Sequence, residues 1–329
     1  MNSPPVFALT MGDPAGIGPE ITVKALSSIT ACDFRILVVG DLDVMKKAAS
    51  YCGIGAELYP VETAEQARCG RINVLDLGMI TLDQFTPGHP LPRCGKAAYA
   101  YIEEAIKLAL DKKVAGVVTN PISKESLKSA GINYPGHTEI FADHTGTDDY
   151  SMVFFLDKVA VAHVTTHCSL REAIGLIKTE RVLKQIRLLN RSLRGLGTDT
   201  PSIAVGGLNP HAGEGGIFGT EEIEHIEPAV KQARSEGINV SGPYPPDTVF
   251  MRAFKGEFNG VVSMLHDHGF VALKSRDFEH GVNITIGLPI IRTSVGHGTA
   301  FDKAGTGTAS PRSLLSAIEA AWNLYKNRG

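Results

Sequence analysis

The chain has few cysteines, almost no net charge and no long hydrophobic run, and each shortage removes a class of function. Five cysteines (Cys32, Cys52, Cys69, Cys94 and Cys168) are scattered through 329 residues, odd in number and without CxxC spacing. They read as reduced thiols in a cytoplasmic protein. Lys and Arg total 32 against 35 Asp and Glu, a balance of −3, so no broad field favours nucleic acid. No apolar stretch approaches the roughly 18 residues of a membrane-spanning helix. The opening MNSPPVFALTMGD lacks the basic leader and apolar core of a signal peptide. A cytoplasmic location, with neither membrane nor nucleic acid as partner, is the expectation. Walker A, GxSxG and HExxH sequences are also missing, which removes the main support for NTPase, serine-hydrolase and zincin chemistry.

What is present is ordinary globular composition, 43% hydrophobic and 20% charged, in a length that suggests about two domains. Short Val- and Ile-rich runs predict strands at 6–11, 35–39, 72–75, 114–119, 159–165, 202–206, 260–265 and 282–285. Between them, amphipathic stretches predict helices at 20–27, 95–111, 180–193, 221–236 and 310–326. The alternation implies βαβ units and a largely parallel sheet buried on both faces. No repeat, charge block or low-complexity linker interrupts it, so the domains should be joined by shared strands and not by a tether.

Glycine and proline cluster at 12–19, 208–219, 242–247 and 296–307. The first cluster reads GDPAGIGPE, with Pro19 suited to a first helical turn. Its glycines would let the backbone approach a ligand at a helix N-terminus; the plainer reading is a tight strand-to-helix turn. It is not the dinucleotide fingerprint, because Gly16 and Gly18 are followed by no third glycine. The last cluster, His297 to Gly305 and its flanks, either wraps a nucleotide with backbone amides or is an irregular surface loop.

Eleven histidines are more informative. His167, His211 and His266 each follow an apolar strand candidate, and open parallel sheets bind ligands beyond the carboxyl ends of their strands. One such histidine alone reads as a hydrogen-bonded loop residue. Three at equivalent ends read as ligands of a divalent ion with positions left open for substrate oxygen. His163, inside its strand, reads as a satisfied core residue. Gly136-His137-Thr138-Glu139 opens a helix, with Thr138 as its cap. Lys274, Asn283 and Arg292 supply groups for an anionic substrate, and the apolar GLPIIRTS context makes a partner for Arg292 necessary.

GDPAGIGPE, NYPGHTE, TTH, LNPHAGEGG, GPYPPDT, HDHG, GVNITIGLPIIRTS and HGTAFDKAG, in this order, resemble the 4-hydroxythreonine-4-phosphate dehydrogenase family over nearly the whole chain. The first and last also resemble isocitrate and isopropylmalate dehydrogenases. The resemblance implies an α/β fold of two α/β/α domains of the isocitrate/isopropylmalate dehydrogenase type. Its cofactor-side domain would be 1–130 plus about 290–329 and its metal, substrate and dimerisation domain about 131–289, with a cleft between domains and at a homodimer interface. It implies an NAD-dependent (or NADP-dependent) oxidative decarboxylating dehydrogenase acting on a CH–OH group. One divalent ion per site (Zn, Mg, Mn or Co) would be held by His167, His211 and His266, with sites shared across the dimer. Substrate residues map onto His137, Thr138, Lys274, Asn283 and Arg292. Cofactor residues map onto His297, Gly298, Ala300, Asp302 and Gly305, and Asp247 is a candidate proton relay or metal neighbour.

The implied reaction converts 4-phosphooxy-L-threonine to 3-amino-2-oxopropyl phosphate in pyridoxine biosynthesis. The run from His163 to Arg171 and the PPDTVF stretch look more like the branch that oxidises D-threonate or D-erythronate 4-phosphate to dihydroxyacetone phosphate, the alternative substrate. A noncatalytic sugar-phosphate-binding protein on the same fold is the second alternative. Two departures stand out: His268 replaces the usual Gln of HDHG, and Lys303 the usual Ile of HGTAFDKAG. The sequence leaves the native metal, the NAD or NADP preference and the general base open.

Overall fold

A computed structural model describes residues 3–30, 32–277 and 280–327. The chain packs as two compact units, Met1–Asp149 with Leu288–Tyr325, and Tyr150–Gly287 with Lys326–Gly329. The segment 131–149, expected with the second domain, packs with the first.

In the first unit the chain runs β1 (Val6–Thr10), α1 (Gly18–Ser28), β2 (Arg35–Gly40), α2 (Leu42–Tyr51), β3 (Leu58–Val61) and β4 (Ile72–Asp76). It continues through α3 (Pro92–Leu110), β5 (Gly116–Thr119), α4 (Lys124–Ser129) and α5 (His137–His144). The second unit contains β6 (Ser151–Leu156), β7 (Val159–His163), α6 (Leu170–Leu176), α7 (Thr179–Gly195) and β8 (Ile203–Gly206). After them come α8 (Glu227–Ser235), β9 (Val240–Tyr244), α9 (Pro246–Phe254), β10 (Gly260–Ser263), α10 (His266–Arg276) and β11 (Val282–Ile286). The chain then supplies the first unit with β12 (Arg292–Val295) and α11 (Arg312–Lys326).

Strands of the first unit lie in the order β3-β4-β2-β1-β5-β12, and their pairings are parallel. Every residue of β1, β5 and β12 is buried. Since successive side chains point to opposite faces, both faces of these strands are covered. The second unit orders its strands β11-β6-β7-β10-β8-β9. Here β7, β10, β8 and β9 are parallel, while β6 pairs antiparallel with both β7 and β11, so the sheet is largely but not wholly parallel. An apolar cluster of Phe154, Val161, Val249, Phe250, Val261 and Phe270 packs one part of its core.

The helix expected over 221–236 is two pieces. Residues Glu222–Ile226 form a π-turn, closed by Glu227 N donating to Glu222 O, and α8 follows. Pro228 has no N–H to complete an α-helical turn at this point, which accounts for the wider one.

Candidate active site

The second unit brings the three histidine loops to one sheet edge. Strands β7, β10 and β8 are adjacent and parallel, and His167, His266 and His211 lie just beyond their carboxyl ends. The order of these strands reverses here relative to the chain, the position where open α/β sheets bind ligands. The rings of His167 and His266 stand 5.9 Å apart, centre to centre. His266 Nδ1 lies 2.7 Å from Asp267 Oδ1. A carboxylate only accepts, so Nδ1 carries the proton and Nε2 keeps its electron pair for a ligand. His167 and His211 are exposed and His266 is half-buried. Among the described residues no three His, Cys, Asp or Glu side chains enclose one point, so His211 does not join the other two in a single group.

His163 is a core residue, but not a satisfied one. Its ring stacks on Phe270 at 4.7 Å and lies 6.2 Å from His266, and its buried Nε2 has no hydrogen-bond partner. Burial pushes its pKa down to about 3, so the ring is neutral. His268 and Asp267, on α10, and Asp247, in the first turn of α9, line a groove of about 860 Å³ with Phe250, Met251 and Val271. Lys274 is exposed on α10, its ammonium 5.4 Å from the Phe270 ring. Asn283 is half-buried in β11.

The first unit gathers the other proposed substrate residues. Arg292, on β12, is 3% exposed; its Nη2 donates to Thr119 Oγ1 at 2.8 Å and its guanidinium lies 5.5 Å from the Phe141 ring. Burial disfavours its charge, and Glu139 offsets part of that cost. His137 opens α5 with Gly136, not Thr138, in the cap position; Thr138 lies within the first turn. Burial, then the charge of Arg292, hold His137 well below its ordinary pKa, and its Nε2 is buried without a partner. A neutral imidazole and a buried guanidinium within one cluster suit an anion.

The glycines of GDPAGIGPE bring chain against chain. A Cβ at Gly18 would stand 2.3 Å from Met11 O, and Ile17 N donates to Thr299 O at 3.0 Å. The reading as a tight turn therefore describes this loop. Its last residue, Glu20, accepts the N–H groups of Gly305 and, at 3.0 Å, Gly307. In the loop so anchored, Gly298 and Asp302 are exposed, Ala300 has a φ of 42°, and His297 Nε2 is buried without a partner. The loop therefore combines a buried ring nitrogen with exposed backbone.

The family described as pyridoxal phosphate biosynthetic protein PdxA matches residues 33–321. The chain belongs to the PdxA family. It is 46% identical over 97% of its length, and 96% of the other's, to "Putative D-threonate 4-phosphate dehydrogenase" of Symbiobacterium thermophilum. The crystal structure of 4-hydroxythreonine-4-phosphate dehydrogenase from Klebsiella pneumoniae is 42% identical with a TM-score of 0.86, covering 98% of this chain and 99% of that one. In fold alone the likeness extends to isocitrate dehydrogenase from Methylococcus capsulatus, at 15% identity and a TM-score of 0.50 over 96% and 87% of the two chains.

As a PdxA-family dehydrogenase the chain is an oxidoreductase acting on a CH–OH group, and the noncatalytic alternative finds no support among these relatives. All five cysteines are free thiols. No helix among the described residues is long and apolar enough to cross a membrane. What the sequence did not disclose in this PdxA chain is Glu222, a carboxylate 1% exposed beneath the His211 loop. Its place, eleven residues beyond His211 and at the start of the helix expected over 221–236, carried no signal of a role.

Proposed function

We propose that the chain catalyses the NAD- and divalent-metal-dependent oxidation and decarboxylation of D-threonate 4-phosphate to dihydroxyacetone phosphate. The observation that carries this reading is the placement of three histidine loops at the carboxyl ends of adjacent parallel strands, with the rings of His167 and His266 5.9 Å apart. The relative at 46% identity, named for the hydroxy acid, favours D-threonate phosphate over the amino acid expected first from the motifs. The second reading, 4-phosphooxy-L-threonine giving 3-amino-2-oxopropyl phosphate, rests on the 42%-identical crystal structure of that name.

His167, His211 and His266 would hold the ion as neutral imidazoles, a donor set that suits zinc-like metals while leaving positions open. When bound, a divalent ion and nicotinamide supply Lewis acidity toward the substrate hydroxyl and ketone, and a hydride acceptor. Asp267 fixes the tautomer of His266. In the first unit Arg292, His137 and Thr138 would bind an anionic group of the substrate, and in the second Lys274 and Asn283 are candidate substrate contacts; binding energy remote from the reacting carbon aligns the reaction. Asp247 is the candidate proton carrier, and His297, Gly298, Ala300, Asp302 and Gly305 the cofactor contacts.

The working unit in this reading is a homodimer with shared metal sites. Its support is a set of exposed apolar side chains beside the histidine loops: Leu170 and Ile174 on α6, Ile217 and Phe218 after His211, and Val271 on α10. Mixing two different inactive site variants should restore activity if sites are shared, and a fully active monomer would refute the dimer.

Comparing kcat/KM for the hydroxy and amino four-carbon phosphates, with NAD and NADP and each of Zn, Mg, Mn and Co, tests the substrate assignment. The expectation is at least a hundredfold preference for D-threonate 4-phosphate, about 2.7 kcal/mol. The same preference for the amino acid would reverse it, and turnover of neither would refute both readings.

A further inference from the structure

We propose that Glu222 is the positioning residue for His211: it clamps the left-handed loop 211–216 and so fixes where that imidazole stands, an inference that rests on the metal-dependent reading above. The φ angles from His211 to Gly216 are 53, 53, 77, 43, 65 and 96°. Three of these residues, His211, Ala212 and Glu214, are not glycine, and left-handed backbone is unfavourable for each. Such a run persists only where its surroundings over-determine it.

Glu222 provides that restraint from a buried site. Its Oε1 accepts the N–H groups of Leu208 at 2.7 Å and Asn209 at 2.8 Å, and its Oε2 accepts Asn209 Nδ2 at 2.9 Å. Glu221 Oε2 takes the same amide nitrogen at 2.8 Å, which anchors Asn209 twice. Beyond Asn209 the chain turns back over the carboxylate. A Cβ at Gly213, whose φ is 77°, would lie 2.7 Å from Glu222 Oε2, so only glycine allows this contact. One carboxylate thus holds the entry to the loop by hydrogen bonds and lies closely against its middle. It does so from the first residue of the π-turn, a helical element outside the loop. His211 itself remains exposed, held by its backbone and not by contacts of its ring alone.

Replacing Glu222 by Gln keeps one acceptor oxygen but turns an N–H toward donors that need an acceptor. In metal-free protein, E222Q should speed hydrogen exchange of the amides at 208–216 by about tenfold or more, with β8 and α8 unchanged. Unaltered exchange at 208–216 would overturn the clamp. Cobalt(II), followed by its visible absorbance, should bind about 10–100-fold more weakly to E222Q. Added to His211→Ala, E222Q should cause no further loss of cobalt affinity, because its effect passes through His211. An equal additional loss in that background would overturn the positioning role. If E222Q does not fold, Asn209→Ala, which removes one side of the same clamp, should give both effects at smaller size, and the absence of both would overturn the proposal. A wild-type protein that binds no cobalt refutes the functional reading, while hydrogen exchange still decides the clamp.

Discussion

Glu20 and Glu222 are nearly inaccessible carboxylates, 2% and 1% exposed, and each accepts backbone N–H groups from a glycine-rich loop. In the loop that Glu20 holds, its two N–H donors Gly305 and Gly307 are left-handed glycines, with φ of 82 and 68°, and Ala300, at 42°, is the left-handed residue that is not glycine, so the conformation costs less. Near Glu222 the left-handed run includes His211, Ala212 and Glu214. At roughly 1–2 kcal/mol for each non-glycine residue, that run costs about 3–6 kcal/mol. Charged-acceptor hydrogen bonds, each about 1.5–3 kcal/mol, are of the size needed to offset it. Two glycine-rich loops held in the same way by a buried carboxylate thus differ in the strain they store. Strain carried by chemically capable side chains, with a buried group to hold it, is a sign of a functional site.

The largest effect that would break this contrast lies in the second unit. His167→Ala and His266→Ala should each lower turnover by about 10³-fold or more, roughly 4 kcal/mol, with an unchanged circular dichroism spectrum. Loss of less than tenfold would remove these residues from the chemistry. Arg292→Lys comes next: without the planar fork, kcat/KM should fall by about 100-fold, chiefly through KM, while cobalt affinity stays at the wild-type value. A cobalt affinity that falls with it would mean that the two clusters are not separable in function.

Glu20→Gln sharpens the comparison directly. It should cost about 1–3 kcal/mol of stability, read from denaturant midpoints, and leave cobalt affinity untouched, unlike the same change at Glu222. The smallest effect concerns Asp13, in the same first loop. Burial raises its pKa, although the Ala15 N–H bond opposes the shift. A carboxyl with a raised native pKa binds its proton more tightly when folded, so stability falls as pH rises through the window above the unfolded value of about 3.9. Asp13→Asn should therefore raise Tm at pH 7, with the gain shrinking as pH is lowered toward 4. A lower Tm at pH 7 would show that the ionised carboxylate is structurally needed.

The Val- and Ile-rich interior strands were legible because burial on both faces leaves a continuous apolar signature, as in β1 and β10. The strands β3 and β9 escaped notice because each contains a proline, Pro60 and Pro243. Each stands at the end of its strand order, where a missing ladder N–H is tolerated. β6 was hidden by the expectation of alternating helices, since it forms an antiparallel hairpin with β7. The histidine positions were legible from strand ends alone. Glu222 was not, because its link to His211 exists only after the loop closes, and no local pattern encodes the closure. The unsatisfied Nε2 of His163 was equally hidden, since an apolar strand context says nothing of hydrogen-bond partners.

In the proposed function, His167, His211 and His266 bind the ion on which the oxidation depends. Protein stripped by chelation and titrated with zinc or cobalt, with bound metal measured by elemental analysis and NADH formation from D-threonate 4-phosphate followed in parallel, tests it most directly. The stripped protein should show no turnover, and activity should rise with metal to one equivalent per chain. The triple-alanine variant should gain neither metal nor activity. Full activity without metal, or one tightly bound equivalent in the triple-alanine variant, would contradict it.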